Sequence, residues 1–250
     1  MLVLLPPSET KRAGGTGGPL VMDELALPQL APQRRAAVDA LVELSRDPDA
    51  AARVLKLGAR QLGEIAVNAG LKTAPTMPAV DRYTGVLFDA LDSASLGPAA
   101  RAWLGEHVLI QSAPFGPVAA LDPIPAYRLA AGTALPGIPP LRRHWAAAGS
   151  AALGELNASF VLDLRSDAYV ALAPVPAEVP SAFVRVVSAG ADGTVRALNH
   201  FNKHAKGEFT RALALSSAVV GSQADLIAWA DVNGWALREA AGSAELELVV

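Results

Sequence analysis

Leu2-Val3-Leu4-Leu5-Pro6-Pro7-Ser8-Glu9-Thr10-Lys11, residues 2–11, joins an apolar run to a polar one through two prolines. The apolar half reads as a short buried strand with a hard stop. The polar half is then a loop at the strand's carboxyl end, where ligands collect in mixed α/β sheets. The same order recurs twice. His107-Val108-Leu109-Ile110 is a second buried strand, followed by the loop Gln111-Ser112-Ala113-Pro114-Phe115-Gly116-Pro117. Ser159-Phe160-Val161-Leu162-Asp163-Leu164 is a third, followed by Arg165-Ser166-Asp167-Ala168-Tyr169.

Helical patterning fills the intervals. Ala37, Val38, Leu41, Val42 and Leu44 fall at helical spacing within 34–44, and Asp47-Pro48-Asp49 opens a second helix with proline in its first turn. A third helical run covers 57–66, and further ones cover 98–104, 141–153, 202–215 and 223–230; Asp81 to Leu87 leads into another that ends at Leu91. Phe183–Val187 and Thr194–Leu198 pair across Ala191-Asp192-Gly193, a hairpin signal, and 245–250 is a closing strand. Pro123, Pro125, Pro136, Pro139 and Pro140 leave 117–140 mostly irregular, with a short strand expected at Ala126–Ala131. No repeat or linker interrupts the pattern. The expected architecture is α+β: one domain over 1–250, a mixed central sheet flanked by helices, and a helical hairpin subregion at about 33–70.

Composition narrows the function classes. The chain has 250 residues, 52% hydrophobic and 18% charged, which excludes intrinsic disorder. No charge-free run reaches the ~18 apolar residues of a membrane span. The apolar opening has no basic lead and stops at Pro6, so neither export nor membrane insertion is expected. Cysteine is absent, which removes disulfides, thiolate metal sites and Cys nucleophiles. With four histidines and a net charge of −3, neither an imidazole-rich metal site nor global attraction to nucleic acid is expected. Any nucleic-acid contact has to come from a local basic patch. The glycines of 13–19 lack the spacing of a dinucleotide or Walker loop, and no cofactor is expected.

Polar residues concentrate at strand ends and helix starts: Ser8/Glu9/Thr10/Lys11, Tyr83/Thr84/Gly85, Asp122/Tyr127/Arg128 and Arg165/Ser166/Asp167/Tyr169. A basic run, Asn199-His200-Phe201-Asn202-Lys203-His204-Ala205-Lys206-Gly207 with Arg211 after it, spreads cations over one broad helical face. His200 and His204 have chelating spacing but no third ligand in sequence. No nucleophile elbow accompanies the serines. The helices meeting at Leu57-Gly58 resemble a helix-hairpin-helix, a motif that offers backbone N–H groups to a DNA phosphate, but lack its paired glycines; a plain packing hairpin is the favoured alternative.

Taken in order, these segments resemble the YaaA family, also called UPF0246 or DUF328, bacterial proteins linked to peroxide stress. The resemblance runs nearly the whole length. It rests on Leu4-Leu5-Pro6-Pro7-Ser8-Glu9-Thr10-Lys11, on Tyr83-Thr84-Gly85-Val86-Leu87-Phe88 and most specifically on Ser112-Ala113-Pro114-Phe115-Gly116 with Asp122-Pro123-Ile124-Pro125-Ala126-Tyr127-Arg128-Leu129. His144-Trp145, Asp163 to Tyr169 and Lys203-His204-Ala205-Lys206-Gly207 complete it. The chain departs from the family pattern at Ala119-Ala120, where the family has an Arg-Pro that adds a cation to the cleft, at Asp163, where it has Asn, at Arg165, where it has Ala, and at Lys206, where it has Arg. The resemblance implies a soluble cytoplasmic protein with a positively lined cleft that binds DNA and limits peroxide damage, with iron and DNA as the vulnerable pair.

Two uses of such a cleft follow. One is double-stranded DNA, held through clustered cations by a monomer. The other is an enzyme or binder of a phosphate-bearing or nucleobase-like small molecule. The cleft set is Ser8, Lys11, Tyr83, Asp122, Tyr127, Arg128, Arg165, Ser166, Tyr169, Lys203 and Lys206, with Arg128 expected to pair with Asp122. No catalytic residue is assigned.

Overall fold

A computed structural model describes residues 1–189, 195–197, 199–240, 242 and 245–250. In chain order its strands are β1 (Leu2–Leu5), β2 (Met77–Pro78), β3 (Val108–Ser112), β4 (Gly116–Ala119), β5 (Pro123–Ile124), β6 (Val161–Asp163), β7 (Ser181–Ala189), β8 (Val195–Ala197), β9 (Ala236–Glu239) and β10 (Leu246–Val249). Its helices are α1 (Ala31–Leu44), α2 (Pro48–Val54), α3 (Gly63–Ala69), α4 (Ala79–Arg82), α5 (Val86–Leu91), α6 (Pro98–His107), α7 (Leu141–Glu155), α8 (Asp167–Val170), α9 (Asn199–Leu215) and α10 (Gln223–Val232).

The main sheet runs β4-β3-β1-β6-β7-β10-β9, with β8 on β7. Its five inner strands are parallel, which explains why β1 is apolar throughout and why β1 and β3 are buried on both faces. β4 and β9 close the two ends antiparallel. β7 is long enough to serve three partners: Ser181–Phe183 pair β6, and Val187 pairs Val249 on one side and Ala197 on the other. The chain is thus α+β with a mixed sheet flanked by helices, as the pattern of residues 2–11 and its two repeats anticipated. β8 pairs with β7 antiparallel, while residues 191–193 of the expected turn lie outside the described residues.

Local chemistry sets the helix ends. Asp47 caps α2, accepting from the N–H groups of Asp49 and Ala50 at 3.1 and 3.0 Å, and Ser222 caps α10 through the N–H of Asp225 at 3.2 Å. α9 lies along α5 and also touches α6 and β7. That approach depends on Gly207, where an added Cβ would lie 2.1 Å from the carbonyl oxygen of Leu87.

Four expectations change. Residues 116–119, expected as loop and irregular chain, form β4, because Gly116 at φ 65° turns the chain back onto β3. The third helix starts at Gly63, because a 3-10 turn occupies Ala59–Gln61. Residues 126–131 form no strand; the Asn68 side chain on α3 holds the Arg128 backbone from both sides, at 2.7 and 2.9 Å, in place of a ladder. β9 was not anticipated, since Leu237 is its one buried residue and alternation is barely visible.

Irregular segments are fastened by two fully buried arginines. Arg34 donates to the carbonyls of Ala26 (2.6 Å), Phe115 (2.8 Å) and Pro117 (2.9 Å). Arg82 donates to those of Arg12 (2.6 Å), Pro75 (3.0 Å) and Ile124 (3.1 Å). A guanidinium with several carbonyl acceptors satisfies backbone groups that have no ladder.

Candidate functional site

In the sheet order, the chain moves from β1 to β3 on one side and later to β6 on the other. The gap at the carboxyl ends of β1 and β6 is therefore a topological switch point, where open α/β sheets form their binding crevice. A cleft of about 460 Å³ lies there. Pro6 to Glu9 leave β1 along one wall, and Leu164 to Tyr169 leave β6 along another. Phe183 and Arg185 of β7, the loop 130–132 and the first turns of α9 complete it.

Of the eleven expected site residues, Ser8, Arg165, Ser166, Tyr169, Lys203 and Lys206 line this cleft. Lys11, Tyr83 and Tyr127 lie behind its wall in a buried polar knot. The Tyr83 and Tyr127 hydroxyls are 2.8 Å apart, and Ser112 Oγ donates to the Tyr127 hydroxyl at 3.1 Å. Burial pushes both phenols above their ordinary range. Lys11 Nζ sits 3.9 Å from the centre of the Tyr127 ring and donates to the carbonyls of Ser8 (3.0 Å) and Glu9 (3.3 Å). Burial lowers its ammonium to about 7, helped by the charges of Arg128 and Arg82 and opposed by Glu64 and Glu9. Gly85, at φ 94°, turns the chain against the Ser8 and Thr10 hydroxyls, so the loop 8–11 and the segment 83–85 are packed as one wall.

Arg128 does not pair with Asp122. Its Nη2 reaches Glu9 Oε2 at 3.0 Å on the cleft wall. Asp122 faces away and accepts from the backbone N–H groups of Ala26 and Ala119, both at 2.9 Å, with Arg34 nearby. The reason is the β5 turn. It uses the Asp122 carboxylate to tie backbone, which leaves the guanidinium six residues later to find another acid.

Arg165 is fully buried, and its charge is already neutralised. Nε and Nη2 grip Asp163 at 2.9 and 2.6 Å, while Nη1 donates to the Ala173 carbonyl at 2.8 Å and to Gln111 Oε1 at 3.2 Å. The two departures from the family pattern at Asp163 and Arg165 thus answer each other as one bidentate pair. This pair positions the β6 end that carries Ser166 and Tyr169. Burial raises the pKa of the Tyr169 hydroxyl, with the Ala131 backbone acting in the opposite direction.

The α9 cations divide. Lys203 is exposed at the rim, Lys206 is buried on the cleft floor, and Arg211 turns away to the carbonyls of Leu91 and Asp92 at 2.9 Å each. Lys206 is 5% exposed, and its Nζ has no hydrogen-bond acceptor among the described residues. Burial lowers its pKa to about 8, with Arg185 acting in the same direction and Asp163 and Asp167 opposing. Asn202, one turn before it, carries a buried Oδ1 without a partner.

Sequence reasoning missed Phe183, Arg185 and Asn202. Asn202 lay within the quoted basic run, one helical turn from Lys206. Phe183 and Arg185 enter the site only because Phe183 pairs in register with Asp163, a tertiary fact. No three His, Asp or Glu side chains converge as metal ligands among the described residues, and the His200 side chain lies outside them. No described helix is long and apolar enough to cross a membrane.

Comparison with known proteins places these features in a family. The family model described as peroxide stress protein YaaA matches residues 1–241. A UPF0246 protein of Corynebacterium glutamicum is 42% identical over 243 residues, covering 96% of this chain and 95% of its own. A UPF0246 protein of Streptomyces coelicolor is 43% identical over 231 residues, 91% and 88% of the two chains. An uncharacterized protein of Campylobacter jejuni is 30% identical over 171 residues, 68% and 69%. With every strand but β10 inside the matched span, the chain belongs to the YaaA peroxide stress protein family.

Proposed function

We propose that this protein binds double-stranded DNA as a monomer, through phosphate contacts at the cleft rim and the adjoining helical hairpin, and thereby limits iron-driven peroxide damage. The observation that carries the reading is the pair Lys203 and Lys206. Both line the cleft, and neither has a carboxylate within ion-pair distance among the described residues. Lys11, Arg128, Arg165 and Arg211 are already occupied by internal partners and add little to phosphate attraction.

The hairpin supplies the remaining cations. Between α2 and α3, Lys56 takes a left-handed conformation (φ 53°), where such hairpins ordinarily use glycine. Arg53, Lys56 and Arg60 are exposed around it and have no acid partner among the described residues. The Gly58 N–H is capped by Gln61 Oε1 at 3.1 Å, so the turn offers side-chain charge more than backbone donors. α3 reaches the cleft wall through Asn68, Arg128 and Glu9, so hairpin and cleft adjoin.

Protection follows from counterion exchange. A protein that covers phosphates displaces the cations condensed on them, ferrous iron included. Five cations imply a slope of log affinity against log salt of about −4 to −5 for duplex DNA. Fluorescence anisotropy across a salt series measures it. The double change Lys203→Ala with Lys206→Ala should flatten the slope by about two units for every sequence alike. A slope near zero in the parent, or an unchanged slope in the double variant, removes the cleft from DNA binding.

A further inference from the structure

The cleft floor presents an unusual pairing. Lys206 is a buried lysine whose Nζ has no acceptor among the described residues, and Asn202 Oδ1 is a buried acceptor lacking a donor, one helical turn apart. A buried polar atom left unpaired costs about 1–3 kcal/mol, and a cation in a cleft without a counter-ion is uncompensated in the same way. Such groups persist in a native protein where a ligand completes them. The ligand they describe is anionic at one point and a hydrogen-bond donor at another.

The walls add a third requirement. The Phe183 ring lines the cleft with the Arg185 guanidinium 5.1 Å and Lys206 Nζ 5.4 Å from its centre. The Tyr169 ring lines it too. Ala130, Ala131, Gly132 and Ala168 are small and leave space beside these rings. A flat group fits there. The volume of about 460 Å³ suits one small molecule or a single nucleotide unit.

We propose that the floor is a binding site for a nucleoside monophosphate unit: the phosphate on Lys206 with Lys203 at the rim, a hydroxyl or amino group on Asn202 Oδ1, and the base between Tyr169 and Phe183. This rests on the cleft being the phosphate-binding region of the preceding reading, and it adds what kind of unit reaches the floor. The charges that face Lys206 are Asp163 from β6, Asp167 from α8, Arg185 from β7 and Lys203 from its own helix. Arg185 is itself held by Glu245 at 2.9 Å, so Lys206 is the floor's available cation. A phosphate is a dianion above pH ~6. Lys206 loses its proton near pH 8, so affinity should be highest between these two values.

Isothermal titration of the full chain with thymidine 5′-monophosphate, thymidine, inorganic phosphate and a short single-stranded oligothymidylate tests this. The expected result is saturable one-to-one binding of the monophosphate, at least about tenfold tighter than either thymidine or inorganic phosphate. Lys206→Met and Asn202→Leu should each weaken it, the former by about tenfold. A tighter oligonucleotide identifies the natural source as a strand, and a tighter monophosphate identifies it as a free nucleotide; both support the site. Inorganic phosphate matching the monophosphate overturns the nucleotide assignment. So does duplex binding that survives while the monophosphate fails, and in that case the DNA reading stands. Monophosphate binding without duplex binding supports the site and removes the DNA reading. A Lys206→Met variant that binds the monophosphate like the parent overturns the site, provided its circular dichroism matches the parent's.

Discussion

Two lysines flank the loop 6–11, and their surroundings differ. Lys11 is enclosed by two tyrosine rings and donates to two carbonyls. Lys206 is buried beside the Phe183 ring, with Asp163, Asp167 and Arg185 facing it, and donates to nothing among the described residues. Both are buried cations with lowered pKa values, about 7 and about 8. Burial therefore does not separate a structural lysine from a ligand-binding one. The number of acceptors already in place does. Lys11 is complete without a ligand, and Lys206 is not.

The sharpest way to break the comparison is to move one lysine without altering it. Gly207→Val places a side chain against the Leu87 carbonyl and should force α9 away from α5, at a cost of about 4 kcal/mol or more. Urea unfolding should record that loss, and Lys206 should lose its place in the cleft while the Lys11 knot stays intact.

Next is the pair behind the floor. Arg165→Ala strands the Asp163 carboxylate in the core and should cost about 3–5 kcal/mol. Restoring the family pattern with Asp163→Asn in the same chain should recover much of it, because no unpaired charge remains. Thermal unfolding of the single and double variants measures the coupling.

Tyr127→Phe probes the Lys11 side. It removes the hydroxyl that both Ser112 and Tyr83 address and should cost about 1–3 kcal/mol, with nucleotide binding unaffected.

The smallest effect is the most specific. A lysine whose folded pKa lies below its unfolded value makes the unfolded chain bind more protons between the two, so stability rises with pH across that window. For Lys11 the window opens near pH 7, and for Lys206 near pH 8. Urea midpoints at pH 6.5 and 9.5 should therefore rise less in Lys11→Met than in the parent, and the same should hold for Lys206→Met. Lys206→Met alone should also be slightly more stable than the parent near neutral pH, since it loses no internal hydrogen bond.

Much of the frame was legible because it follows from local pattern. β1 is an apolar run stopped by prolines, β3 and β6 begin on apolar runs, and α1, α7 and α9 carry helical spacing. The site was legible as a set of charges and not as a set of partners. Arg165 and Asp163 stand two residues apart, yet a bidentate grip between them depends on a strand end whose turn the sequence does not reveal. Asp122 and Arg128 are similarly close and do not meet. Phe183 and Arg185 came into the cleft through the register of β7 on β6, which no local pattern specifies.

Arg34 and Arg82 have a consequence for motion. Each guanidinium gathers carbonyls from chain segments far apart in sequence: 26, 115 and 117 for one, 12, 75 and 124 for the other. Segments fastened in this way cannot open one at a time without stranding a buried cation. The ladder-free stretches should therefore open together, and amides donating there, such as Arg12 N–H to the Arg82 carbonyl at 2.8 Å, should exchange with solvent as slowly as those of the sheet.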